Sequence, residues 1–303
     1  MKQIFTLLIA ILLVSCNEVE YQNDDKIQIV TTTTIVTDIV KNVGGEKVNV
    51  SSLMGPGIDP HLYKATEGDV AKLANAEIII YSGLHLEGKL VDVFSKIERL
   101  GKHPVNLGEA LSPNQLIESE NFGGTYDPHV WFDISLFIEQ AKEVARVLQT
   151  YKPEEKEYFE SNLRRYTAEL EALQHELHEL IAELPKDRRK LVTAHDAFGY
   201  FGKAFDFEVV GLQGLSTTTE AGVQDVKRVS DFIVEHKIKS IFIESSVPRR
   251  TIEALQQTVL AKGHQVEIGD VLYSDALGTE GTPEESYIGM FRHNVTTIVE
   301  GLK

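Results

Sequence analysis

The sequence has one cysteine, Cys16, in 303 residues. It therefore cannot form an intramolecular disulfide, and it argues against a thiolate metal cluster or a catalytic Cys-His pair. Basic residues are also scarce: 30 Lys and Arg stand against 46 Asp and Glu, a formal net charge of −16. Phosphate backbones would be repelled by such a chain, which argues against nucleic acid as a partner. The same field is screened beyond about 8–10 Å, so the acidity is compatible with binding a cation without arguing for it. No Ser-His-Asp pattern, glycine-rich phosphate loop or H-E-x-x-H pair is present.

A run of membrane-spanning length is missing as well. The apolar stretch from Ile4 to Val14, broken by Thr6, is too short to cross a bilayer as a helix. Behind Lys2 it fits the core of a signal peptide over residues 1–15. Leu13-Val14-Ser15-Cys16 resembles the bacterial lipobox, which would make Cys16 a lipidated first residue. The polar segment to Lys26 reads as a tether over 16–26.

What is present is ordinary globular material, 42% hydrophobic, long enough for two domains of roughly 100–200 residues. Strand and helix patterns alternate. Strands are expected at Ile27–Thr32, Val48–Leu53, Glu77–Tyr81 and Pro104–Leu107, with helices at Ile35–Asn42, from Thr66 to Ala74, at Leu86–Leu100 and at Ile134–Thr150. Thr66 and Asp69 have capping-box spacing. The second half repeats the style. Strands are expected at Lys190–Ala194, Phe207–Leu212, Ser240–Glu244 and Gln265–Ile268. Helices are expected near Ala197–Ala204 and at Val223–His236, Pro248–Lys262 and Pro283–Leu302. Such alternation predicts an α/β fold with parallel sheets covered by helices.

Between the halves, no glycine or internal proline interrupts Pro153–Leu184. Leu163, Tyr166, Leu170, Leu173, Leu177, Leu180 and Leu184 recur at steps of three and four, a single-face helical stripe. The helix would be roughly 48 Å long at 1.5 Å per residue. A coiled-coil dimer and a strut across both halves are the two readings. A single such segment at mid-chain favours the strut. The expected organisation is a first α/β lobe over 27–150, the connecting helix over 151–186 and a second α/β lobe over 187–303.

Three of the ten histidines fall where open α/β sheets bind ligands, at strand ends and lobe-edge loops. His61 and His129 each end an Asp-Pro-His triplet, in which proline restricts the backbone. His195 follows the strand KLVTA. Imidazole is the commonest metal ligand. Three of them with a carboxylate, for which Asp275 is the candidate, make a plausible four-ligand site for zinc or a related divalent ion. The intervals are long and match no short zinc motif.

The segments Ile58-Asp59-Pro60-His61, Asp127-Pro128-His129-Val130-Trp131-Phe132-Asp133, Thr193-Ala194-His195-Asp196-Ala197-Phe198-Gly199-Tyr200-Phe201 and Ser274-Asp275-Ala276 closely resemble the receptor family of ABC-type zinc, manganese and iron importers, solute-binding protein family 9. Gly83-Leu84-His85-Leu86-Glu87 and the run GLQGLSTTTE from Gly211 share that resemblance, which covers nearly the whole chain after the tether. It implies two Rossmann-like lobes joined by one long helix, with the metal in the cleft between them. It implies His61 and His129 as ligands from the first lobe, and His195 and Asp275 from the second. The implied cargo is zinc, manganese or iron. The implied partner is the membrane permease of an ABC importer, served by a monomeric, extracytoplasmic, lipid-anchored receptor that is not an enzyme. Dedicated zinc receptors of the family often carry a long His- and acid-rich loop before the second triplet. Here Leu116–Tyr126 is short and has no histidine. Manganese-leaning relatives often have Glu where His195 stands. The metal is left open between zinc and manganese.

Two other classes are compatible with three histidines: a zinc hydrolase with an open coordination position, and a surface adhesin. Asp275 would close that position, which argues against the enzyme. Asp133, Asp196 and Glu244 are candidates to hold ligand histidines, or equally to be caps or ion-pair partners. His85 is expected to pack or hydrogen-bond, His175 and His178 to lie on a solvated helix face, and Trp131 and Phe132 to pack.

Overall fold

A computed structural model describes residues 25–119 and 126–303. The signal peptide, Cys16 and most of the tether therefore lie outside the described residues, as does the middle of the 116–126 loop.

The first lobe is built on β1 (Ile27–Thr31), β2 (Val48–Ser52), β3 (Ile78–Tyr81) and β4 (Val105–Asn106). They form one parallel sheet in the order β2-β1-β3-β4. The central strands IQIVT and IIIY are almost wholly buried, as expected for a sheet covered on both faces. Helices α1 (Thr34–Gly44), α2 (Glu67–Asn75), α3 (Val91–Arg99) and α4 (Ile134–Tyr151) pack around it. Thr66 and Asp69 do form a capping box at the start of α2.

The second lobe has β5 (Lys190–His195), β6 (Glu208–Gln213), β7 (Ser240–Glu244) and β8 (Glu267–Leu272), with α6 (Gly199–Phe205), α7 (Val223–His236), α8 (Arg250–Ala261) and α9 (Tyr287–Leu302). β5 pairs with β6 and β7 with β8, both in parallel, and β5 lies beside β7.

Between them runs α5 (Lys156–Ala182), preceded by a separate 3-10 turn over Pro153–Glu155. The α-helix is thus somewhat shorter than its sequence pattern, about 40 Å at 1.5 Å per residue. Its buried face is Phe159, Tyr166, Leu170, Leu173, Leu177 and Ile181. Leu163 and Leu180 are only partly buried. A 3.5-residue stripe drifts around a straight 3.6-residue helix, and Ile181 takes over where Leu180 turns outward. This face packs against α1 and α4 of the first lobe and α9 of the second. The apolar stripe is covered by its own chain, so α5 is the strut. Polar ties point both ways: Tyr166 Oη donates to Asp38 at 2.6 Å, and Arg292 grips Glu176 with two nitrogens at 2.6 and 2.8 Å. One apolar core runs from Ile27 through α5 to Leu302.

Three elements depart from the sequence pattern for identifiable reasons. α3 begins at Val91 rather than Leu86. Ahead of it Gly83, Leu84 and His85 all have positive φ, at 80, 50 and 68°, and the buried carboxylate of Glu87 holds that turn by accepting from Thr32 Oγ1 and the N–H groups of Ser82 and Gly83. α9 starts at Tyr287 because Ser286 caps it, accepting from Gly289 N, while Pro283–Glu285 makes a 3-10 turn. β8 continues through Gly269 to Leu272. That glycine is a site of close approach, since a Cβ there would come within 2.7 Å of the Phe242 ring.

Candidate metal centre

All four sequence candidates come together. One donor atom from each of His61, His129, His195 and Asp275 lies within 4.8 Å of the others. All four side chains are buried, with exposures of 3, 0, 0 and 1%. His61 stands in the loop after β2, and His129 immediately precedes the 3-10 turn that leads to α4. His195 is the last residue of β5, and Asp275 follows β8. Each lobe contributes two residues across the cleft.

His129 Nε2 lies 3.5 Å from Asp275 Oδ1, and His195 Nε2 lies 3.4 Å from Asp275 Oδ2. Ligands about 2.0–2.1 Å from a tetrahedral centre stand about 3.3–3.4 Å apart, so these spacings suit one small cation. The His129 and His195 Nε2 atoms and Asp275 Oδ1 are buried without a hydrogen-bond partner. Such atoms are costly in a folded protein unless something completes them.

The outer nitrogens are held by carboxylates. His129 Nδ1 is 2.7 Å from Asp127 Oδ1, and His195 Nδ1 is 2.6 Å from Glu244 Oε2. This turns Nε2 of each ring toward the centre and raises its basicity, as in carboxylate–histidine–metal arrangements. Glu244 also accepts from His195 N at 2.8 Å. In both triplets the aspartate folds back onto its own histidine. Asp127 Oδ1 accepts from His129 N at 2.9 Å, and Asp59 Oδ1 accepts from His61 N at 2.8 Å. Proline between them pre-sets this Asx turn.

Of the three carboxylates weighed as holders, Glu244 takes that role. Asp133 instead caps α4, accepting from Ser135 N. Asp196 lies against Gly211, where a Cβ would meet the Asp196 backbone nitrogen at 2.5 Å. Asp127, the holder of His129, was not among the sequence candidates. Its signal was available in the Asp-Pro-His turn itself.

Electrostatics divide the three imidazoles. Burial pushes His61 down to about 3. Burial also opposes charge on His129, yet the Asp127 and Asp275 carboxylates outweigh it and push that ring up to about 9. His195 is likewise raised well above the usual range, against its burial, by Glu244 and Asp275. Asp275, despite burial, is held well below the ordinary carboxylate range by the His195 and His129 rings.

The surroundings are closely packed across the two lobes. Phe132 of the first lobe stacks on Phe198 of the second, with centroids 4.4 Å apart. Trp131 packs as expected and also donates from Nε1 to the Ser274 carbonyl. His175 and His178 stay on the exposed face of α5, away from the centre.

Comparison with known proteins adds a decisive observation: the family model described as the periplasmic component A of the zinc-uptake complex matches residues 29–301. The chain belongs to this component A family. Among its curated relatives, the manganese-binding lipoprotein MntA of Bacillus subtilis is 46% identical over 92% of this chain and 91% of its own. The zinc-binding protein TroA of Treponema pallidum is 45% identical over 92% and 90%. The solved structure of Treponema TroA superposes with a TM-score of 0.88, covering 91% of this chain and 99% of its own. Membership of component A places the chain among transport receptors and sets the zinc-hydrolase reading aside.

Proposed function

We propose that His61, His129, His195 and Asp275 hold one divalent transition metal, zinc or manganese, which the chain delivers to the membrane permease of an ABC importer. The observation that carries this reading is the convergence of four buried donor atoms within 4.8 Å from four distant segments of the chain. Relatives at 46 and 45% identity are named for manganese and for zinc respectively, so the cargo is drawn from these two. Raw affinity favours zinc by the usual divalent order, while availability can make manganese the physiological cargo.

The test is direct metal titration. His61→Ala and Asp275→Ala should each lower affinity strongly while leaving the metal-free fold intact, and His85→Ala should change little. Normal binding by His129→Ala and Asp275→Ala, with binding lost in His85→Ala, would sink the assignment. Elemental analysis after loading under competition between zinc and manganese decides the cargo.

The same reading divides the chain into lobes over 27–150 and 187–303 with the connector at 151–186, working as a monomer anchored through lipidated Cys16. One acyl chain holds a protein only marginally to a membrane, so the cysteine would carry more than one. Cys16→Ala should move the receptor into the soluble fraction. Retention on the membrane as firm as the parent's would refute the anchor.

A further inference from the structure

A cavity of about 460 Å³ lies between the lobes, lined by His61, His85 and Lys89 from the first and by Gln213, Ser216 and Glu220 from the second. Of the four candidate metal residues, only His61 lines it. An ion reaching the centre by this route passes His61 first, between walls formed by residues 85–89 of the first lobe and 213–221 of the second, with the loop over residues 55–62 reaching the cavity through His61 itself.

A side-chain bond joins the His61 loop to the 213–221 loop. Thr217 Oγ1 donates to Asp59 Oδ2, while the other oxygen of Asp59 accepts from His61 N at 2.8 Å. A single carboxylate thus orients the backbone of a candidate ligand and fastens the facing lobe. Within residues 214–220, Thr217 alone is buried, at 8% exposure, between the half-buried Leu215 and Ser216 and the exposed Thr218–Glu220. The loop behind it is braced by Gln213 Nε2 donating to Thr219 O at 3.1 Å and by a 2.9 Å contact between the Ser216 and Thr218 hydroxyls. On the other side, Gly57 has φ +69°, and a Cβ there would stand 3.4 Å from the Ser245 carbonyl of the second lobe. The His61 loop therefore lies against the second lobe at Gly57 as well as at Asp59, and the Thr217 contact is a hydrogen bond that a small loop movement breaks.

We infer that Thr217 and Asp59 form a latch beside the route to the metal, fastening the His61 loop to the facing lobe, and that breaking their hydrogen bond is a step in metal release. Thr217 is a positioning residue here: it touches Asp59 and acts on the metal only through the His61 loop. This rests on the reading that His61, His129, His195 and Asp275 hold the metal. A hydrogen bond to a charged acceptor opposes opening, and its loss accelerates escape without obstructing arrival.

The test is stopped-flow kinetics on the full chain with zinc. The loaded protein is mixed with excess chromogenic chelator for the off-rate, and the metal-free protein with zinc for the on-rate. Thr217→Val keeps the shape and removes the donor. It should release zinc roughly 10- to 100-fold faster, the range that one hydrogen bond to a charged group supports, with an on-rate no slower than the parent's. Thr217→Ser, which keeps the hydroxyl, should release near the parental rate. Release by Thr217→Val at the parental rate, or by Thr217→Ser as fast as by Thr217→Val, overturns the latch. The parent and His129→Ala are run alongside: zinc binding by the parent and its loss in His129→Ala uphold the site itself, whatever Thr217 does.

Discussion

The indole nitrogen of Trp131 donates to the backbone carbonyl of Ser274 at 2.9 Å, joining the residue two past His129 to the residue immediately before Asp275. Two of the four candidate metal residues, one from each lobe, are thereby set in register by a contact that involves neither. Trp131→Phe would leave a buried carbonyl unpaired, at a cost of about 1–3 kcal/mol. We expect this variant to bind metal about tenfold more weakly and to melt at a lower temperature when loaded. Parental affinity in a titration would show that the Asp275 loop is positioned without the indole.

The carboxylates behind the imidazoles should rank by contact. Asp127→Asn and Glu244→Gln remove the charge that faces His129 Nδ1 and His195 Nδ1, and partners of this kind are worth about 10–100-fold in metal affinity. Asp133→Ala loses a helix cap instead, about 0.5–2 kcal/mol of stability, and should keep its affinity. Competition titrations and thermal melts on the three variants separate the two roles. An affinity loss confined to Asp133→Ala would reverse the assignment.

Metal uptake should expel protons well above the ordinary histidine range. His129 is pushed up to about 9, so near pH 7.5 the metal-free ring carries a proton that the metal must displace. His61, held down to about 3, has none to lose. Affinity should therefore go on rising as the pH is raised toward 9, beyond the region around 6.5 in which free histidines titrate. Stability of the metal-free protein runs the opposite way. A group whose pKa is raised on folding stabilises fully below its unfolded value, and that contribution is lost as the pH rises through about 9. The gain in melting temperature on loading should accordingly widen with pH. Calorimetry in two buffers of different ionisation enthalpy counts the protons; none released at pH 7.5 would contradict the electrostatic reading.

Lobe motion on loading should be small. α5 packs on α1, α4 and α9 and is tied through Tyr166 to Asp38 of the first lobe and through Glu176 to Arg292 of the second. A continuous packed helix is a stiffer joint than the short flexible segments of hinge-closing proteins. Small-angle scattering of metal-free and loaded protein should give nearly the same radius of gyration. A compaction of the size produced when two lobes clamp shut would rule this out.

Much of this was legible in the residues. Runs such as EIIIY announced buried strands, the repeated Asp-Pro-His marked two of the histidines, and the Thr66–Asp69 spacing marked a helix start. What was missed depends on contacts between distant segments. Leu84 and His85 adopt positive φ because Glu87, Thr32 and the Ser82–Gly83 backbone hold them there, and no local pattern announces that. Gly269 reads as a strand breaker until Phe242 is placed against it. Asp127 holds a histidine two residues away in its own Asx turn, and the same local position is equally consistent with a plain turn residue. Thr217 lies in the GLQGLSTTTE run, but nothing in that run announces its contact with Asp59, which exists only across the cleft.

The unbroken core from Ile27 through α5 to Leu302 also constrains protein engineering. Metal preference in this chain cannot be transplanted by grafting one lobe from a relative. A chimera would receive two of the four candidate residues and would have to match, at the graft, the packing of α5 against α1, α4 and α9 and the stacked Phe132–Phe198 pair. Exchanges confined to the loops that carry His61, His129 and Asp275 leave that packing untouched, and they are the practical unit for redesigning selectivity.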